Sequence, residues 1–127
     1  MAQQPLNQYK TITGIVSTSN VGIYTTRTGY TSIILYAQVA NTGSGLGTVT
    51  FYHERDSRTS GGGISTTATE IISNGLVPPN DALILLDGRL VLERTALKID
   101  RIKMVGISST NPNHLKYTIS ILETLNQ

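Results

Sequence analysis

Residues 77–93 read VPPNDALILLDGRLVLE, and the fold class follows from how this stretch is read. Two short apolar runs, Ala82–Leu86 and Arg89–Leu92, flank the dipeptide Asp87-Gly88. Strands separated by Asp-Gly are a strong hairpin signal. A type I′ turn needs positive φ at both central positions, and its twist matches that of the strands. The stretch therefore predicts a β-hairpin. Pro78-Pro79 ahead of it predicts an extended crossing segment, because neither proline donates a ladder hydrogen bond.

Period-two alternation recurs on both sides of this hairpin. Ile12, Gly14 and Val16 share one face of a first strand, and Val21 and Ile23 one face of a second. In TSIILYAQVA (31–40), Ile33, Leu35, Ala37 and Val39 fall on one side and Ile34, Tyr36 and Gln38 on the other, which suits a strand covered on both faces. After the Gly-rich turn at 41–47, TVTFYH (48–53) places Val49 and Phe51 inward. ERDSRTSGGGIS (54–65) reads as the longest irregular stretch, TEIIS (69–73) restarts a strand, and Asn74-Gly75 closes it. The last strands are RIKMVGIS (101–108) and HLKYTISILET (114–124); in the latter Leu115, Tyr117, Ile119 and Ile121 alternate with Lys116, Thr118 and Ser120.

No window keeps apolar residues at helical spacing with a cap. The expectation is an all-β chain: a single antiparallel β-sandwich, jelly-roll-like or immunoglobulin-like, with eight to nine short strands and no substantial helix. Residues 1–9 read as an N-terminal arm and 10–127 as the sandwich.

Bulk composition narrows the function classes. The chain has 127 residues, enough for one domain with a real core. It has no cysteine, which removes thiolate catalysis, thiolate metal sites and disulfides. Charged residues make up 14% and the net charge is +2, a weak lever for nucleic acid. The N-terminus lacks a charged start followed by an apolar stretch, so no signal peptide is expected. No apolar run approaches the roughly 20 residues of a membrane helix. Together these predict a chain made in a cytoplasm.

Candidates for chemistry are few. His53 precedes Glu54 and Asp56, which raises a His–carboxylate pair serving Ser57 or Ser60; an ordinary strand-end histidine explains the same residues. Neither His53 nor His114 has a second histidine at metal-ligand spacing, and Asp56, Asp81, Asp87 and Asp100 form no calcium loop. RTSGGG (58–63) lacks the lysine and the helix of a phosphate loop. Arg89, Arg94, Lys98, Arg101 and Lys103 are interleaved with Asp87, Glu93 and Asp100, which breaks up any field for a phosphate backbone. No catalytic residue, cofactor or metal is expected. A carbohydrate-binding module is the rival class, but a sugar platform favours tryptophan and the chain has none.

A resemblance adds to this. VTFYHERDS, then TEIISNGLVPPNDALILLDGRLVLERTALKIDRIKMVG, then YTISILET resemble small β-sandwich virion proteins of tailed bacteriophages, most nearly those of contractile-tailed phages of marine bacteria, including cyanobacteria. The resemblance rests on Val77-Pro78-Pro79-Asn80-Asp81, Leu90-Val91-Leu92-Glu93, Asp100-Arg101-Ile102 and Ser120-Ile121-Leu122-Glu123, and covers roughly residues 48 to 124. Glu93-Arg94-Thr95-Ala96 departs from it, standing where an acidic, Gly-containing turn belongs.

The resemblance implies a non-enzymatic virion protein that decorates or stabilises the capsid, or sits at the neck, tail or fibre attachment. Its partners would be other virion proteins and copies of itself, as a trimer or ring, with no membrane and no nucleic acid. The residues expected at such contacts are Gln3, Gln4, Pro5, Leu6 and Tyr9 of the arm and Arg55, Asp56 and Arg58 of the mixed-charge tip.

Overall fold

The computed structural model describes residues 7–59, 61–86, 88–108 and 112–125. These form nine strands: β1 (Asn7–Ile15), β2 (Val21–Thr25), β3 (Tyr30–Asn41), β4 (Gly47–Arg58), β5 (Ile64–Val77), β6 (Asp81–Ile84), β7 (Leu90–Leu92), β8 (Lys98–Ser108) and β9 (Leu115–Leu125). A single 3-10 turn, Pro112–His114, leads into β9. One sheet has the order β1-β9-β3-β6, with β7 also on β3; the other has the order β2-β8-β4-β5. Every strand pairing is antiparallel.

The pairing is nested: β1 with β9, β2 with β8, β3 with β6 and β7, β4 with β5. One long hairpin rolled into two sheets gives this order, which is the jelly-roll topology rather than the immunoglobulin one. The core lies between the sheets. Val49, Phe51, Ile102 and Met104 from one sheet face Ile34, Ala37, Val39, Ile119 and Ile121 from the other, each 0 or 1% exposed. Full burial of such a side chain contributes about 1.5–3 kcal/mol.

The Asp87-Gly88 hairpin does not form. β6 and β7 both run antiparallel to β3, β6 against Gln38–Asn41 and β7 against Ser32–Ile34. They are consecutive segments of one edge strand, and Leu85 N–H between them still donates to Ala37 O (2.9 Å). Each apolar run finds its ladder partner in β3, so neither needs the other. Gly88, at φ 110°, occupies the break, where only glycine is unstrained. Pro78-Pro79 does carry the chain from one sheet to the other.

Bulges account for the other departures. β3 shifts register between Ile34 and Tyr36, so its buried set is Tyr30, Ser32 and Ile34, then Ala37, Val39 and Asn41. The expected Ile33/Leu35 face is thus correct only beyond the bulge, since one extra residue flips the phase. In β2 a bulge between Gly22 and Tyr24 buries Tyr24 and leaves Val21 exposed. Asn74-Gly75 does not close a strand: Asn74, at φ 50°, makes a bulge inside β5 and its N–H donates to Thr50 Oγ1 (3.0 Å).

Residues 54–65 are not a long irregular loop. β4 runs to Arg58 and β5 starts at Ile64, joined by a tight turn in which Thr59 N–H donates to Gly63 O (2.9 Å). Of the expected arm, residues 1–6 lie outside the described residues. Residues 7–9 are the first of β1, and Tyr9 pairs with Leu122 of β9.

Candidate functional site

Successive strand residues point to opposite faces, so the charged half of β4 feeds two separate networks. His53 and Arg55 turn toward Asp100 on the inner side; Glu54 and Asp56 turn toward Arg101 on the outer side. The pairing of His53 with Glu54 or Asp56, raised by the sequence beside the plainer strand-end reading, is absent, because residues one and three apart cannot share a strand face.

Asp100 is fully buried (0%), in phase with Ile102 and Met104. Arg55 grips it side-on, Nε to Oδ1 at 2.6 Å and Nη2 to Oδ2 at 2.7 Å. The Glu93 backbone N–H donates to Oδ2 (2.8 Å), and Arg55 Nη2 also reaches Glu93 Oε2 at 3.0 Å. His53 Nε2 stands 3.4 Å from Oδ1. Burial pushes the Asp100 carboxyl up, but the Arg55 guanidinium and the Glu93 N–H outweigh it and hold the group below its ordinary 3.8.

On the outer face Arg101 donates to both Glu54 and Asp56, and Lys103 Nζ to Glu54 (3.2 Å). The Arg101 bonds, then the Thr66 hydroxyl at 2.8 Å, hold Asp56 at about 2. Both depressed carboxylates give stability that is present above their unfolded value near 3.8 and lost as pH falls through the folded values. The melting temperature should accordingly fall steadily below pH 4 and still be falling at about pH 2, where Asp56 is half-protonated. Calorimetry across that range checks this, and a flat profile would refute the linkage.

A second buried carboxylate clamps the sheets together. Glu123 (0%) occupies the next inward position after Ile119 and Ile121. Tyr24, on the opposite sheet, donates its hydroxyl to Glu123 and lies 2.8 Å from Ser32 Oγ. Arg27 Nη2 is 3.3 Å and Lys10 Nζ 3.8 Å from the carboxylate. Burial, and then the bond to Glu123, push the Tyr24 phenol well above its ordinary value, so it stays a donor.

The two carboxylates lie at one end of the sandwich. Thr26, between Tyr24 and Arg27 in the chain, donates its N–H to the Asp100 backbone carbonyl (3.2 Å), and its own carbonyl accepts from Arg94 Nη1 (3.0 Å). A cleft of about 450 Å³ opens there, lined by Thr28, Gly29, Arg58, Arg94, Thr95 and Ile99. Each buried acid is already committed to cations, so the arrangement pins strands rather than presenting an acid–base pair.

The structure scatters the expected contact residues. Gln3, Gln4, Pro5 and Leu6 lie outside the described residues. Tyr9 is 76% exposed on β1. Arg55 and Asp56 belong to opposite faces and are held in ion pairs, while Arg58 ends β4 at the cleft. Glu123 and Asp100 as structural anchors escape a reading by residue type, yet both carry a signal: a charge in phase with an apolar strand face.

The feature most exposed to a partner is the far half of the β4–β5 hairpin. Residues 64–70 of β5 are all exposed, and no strand pairs with the outer edge of β5 among the described residues.

No protein-family model matches the chain, and no curated protein sequence matches it. Among solved structures, a chain of the Bacillus endospore appendages, described as disulfide-linked pili, is similar at 12% identity and TM-score 0.42, over 95% of this chain and 88% of that one. A chain of the infectious bursal disease virus T13 particle is similar at 10% identity and TM-score 0.49, over 96% of this chain and 32% of that one. A mutant VP2 protein of the same virus, from T=1 particles, is similar at 11% and 0.47, over 94% and 32%. The chain thus spans about a third of the length of those viral chains. At these values the likenesses assign no function.

Proposed function

We propose that this chain is a non-enzymatic structural subunit of a bacteriophage particle, held on the capsid by repeated protein–protein contacts. The observation that carries the reading is the β4–β5 hairpin with its open 14-residue edge strand, β5. Such an edge offers a row of unpaired backbone donors and acceptors, which is a template for another chain. The rest of the molecule is built for rigidity, with both buried acids clamped at one end. Jelly rolls serve in viral capsids and in lectins, so fold alone does not decide. The resemblance of residues 48–124 to tailed-phage virion proteins supports the particle over the sugar.

The test is reconstitution. Phage particles assembled without this chain should take it up in saturable, stoichiometric amounts, and electron microscopy of those particles should then locate it. A chain that stays in the supernatant, or that binds a glycan array instead, overturns the proposal. Gln3, Gln4, Pro5 and Leu6 are assigned a contact with a neighbouring subunit in this reading. Removing residues 2–6 should weaken uptake while leaving the melting temperature unchanged; unaltered uptake removes the arm from the scheme.

A further inference from the structure

The four sheet edges differ in how they are protected. β2 is five residues long and bulged at Gly22/Tyr24. The β6/β7 edge is broken between Ile84 and Leu90. β1 carries Lys10, a residue type that guards edges. β5 has none of these devices over its first seven residues, Ile64, Ser65, Thr66, Thr67, Ala68, Thr69 and Glu70, which are all exposed and contain a single charge. An edge of this kind fits one class of partner, an extended strand.

Alternation identifies the free backbone groups. Thr59 N–H donates to Gly63 O at the turn, and the register then runs unbroken from Arg58↔Ile64 to Tyr52↔Glu70. Ladder bonds to β4 thus fall at Ser65, Thr67 and Thr69, and the outward N–H and C=O groups belong to Ile64, Thr66, Ala68 and Glu70. Arg58 N–H bonds Leu97 O on the β8 side, as this phase requires.

We propose that the strand this edge takes is β5 of a second copy, paired antiparallel about a two-fold axis at Thr67. The inference rests on the structural-subunit reading and names its partner. In that register Thr66 faces Ala68 of the partner, Ser65 faces Thr69, Thr67 faces Thr67 and Ile64 faces Glu70, reading residues from Ile64–Glu70 of each copy. No like charges stand opposite, the Thr–Thr and Ser–Thr pairs are of the favourable kind, and the outward groups of one copy meet those of the other. Two four-stranded sheets then become one of eight, in an isologous contact.

Pairing over so short a ladder is a small interface, so the dimer is weak and concentration-dependent in isolation. Sedimentation equilibrium of the whole chain over a wide concentration range tests it. The native chain should dimerise reversibly. Ala68→Pro removes an outward N–H without touching the β4 ladder and should weaken the dimer by about tenfold or more. Ala68→Lys, which sets two cations near the axis, should do the same and lose its effect in high salt. A native chain that stays monomeric, or an oligomer that ignores both substitutions, overturns the β5 pairing. Those results bear on the β5 self-pairing alone, whereas failed particle uptake by the native chain defeats the structural-subunit reading by itself.

Discussion

Replacing Asp100 with Ala should destabilise the fold by about 3 kcal/mol, read from the denaturant midpoint at neutral pH. The loss comes from what the carboxylate leaves behind. Arg55 stays 31% exposed, so it regains some water, but its guanidinium and the Glu93 N–H lose their acceptor, and His53 loses the carboxylate that stands 3.4 Å from its Nε2. Arg55→Ala leaves the reverse problem, a buried acid with no cation. A double-mutant cycle isolates the pair, and the two losses should be strongly non-additive, by more than about 1 kcal/mol. Simple addition of the two losses would show that the side-on contact contributes nothing of its own. Repeated at progressively lower pH, the cycle should give a coupling that shrinks as the depressed Asp100 carboxyl is protonated.

Phe51→Ala should cost about 3–5 kcal/mol and lower the melting temperature by about 10 °C or more. Phe51 is the chain's only phenylalanine and is 0% exposed at the centre of β4. Its neighbours Val49, Ile102 and Met104 come from strands held in a hydrogen-bonded sheet, so the site cannot collapse to fill the space. Phe51→Leu keeps most of the volume and should cost less than half as much. Equal losses for the two variants would mean that β4 rearranges and that no cavity remains.

Several features were legible from local pattern alone. Val49 with Phe51, and Leu115 with Ile119 and Ile121, show strand alternation that tertiary context did not disturb. The strand at 31–40 was readable too, but the cover expected on both its faces is complete on one only, with Tyr36 exposed on the other, and its phase was not legible, because a bulge leaves no mark in hydrophobicity. Asp100 and Glu123 were visible only as charges. Both sit on the alternation of an inward face, at i−2 from Ile102 and i+2 from Ile121, and that phase was the available signal. Their partners were not legible: Arg55 lies 45 residues from Asp100 and Tyr24 99 residues from Glu123.

The amino-acid sequence by itself determined an all-β chain: β-branched and apolar residues at period two, turn residues between them, and no helical period to compete. It also determined which elements have strand character, since alternation depends only on neighbours in the chain. The tertiary structure alone decided how strands are joined. The runs that flank Asp87-Gly88 are suited to a hairpin, yet both pair with β3, about fifty residues away. A strand's hydrogen bonds are met outside itself, by whichever partner the rolled chain delivers. The same physics leaves β5 with one edge paired and the other open.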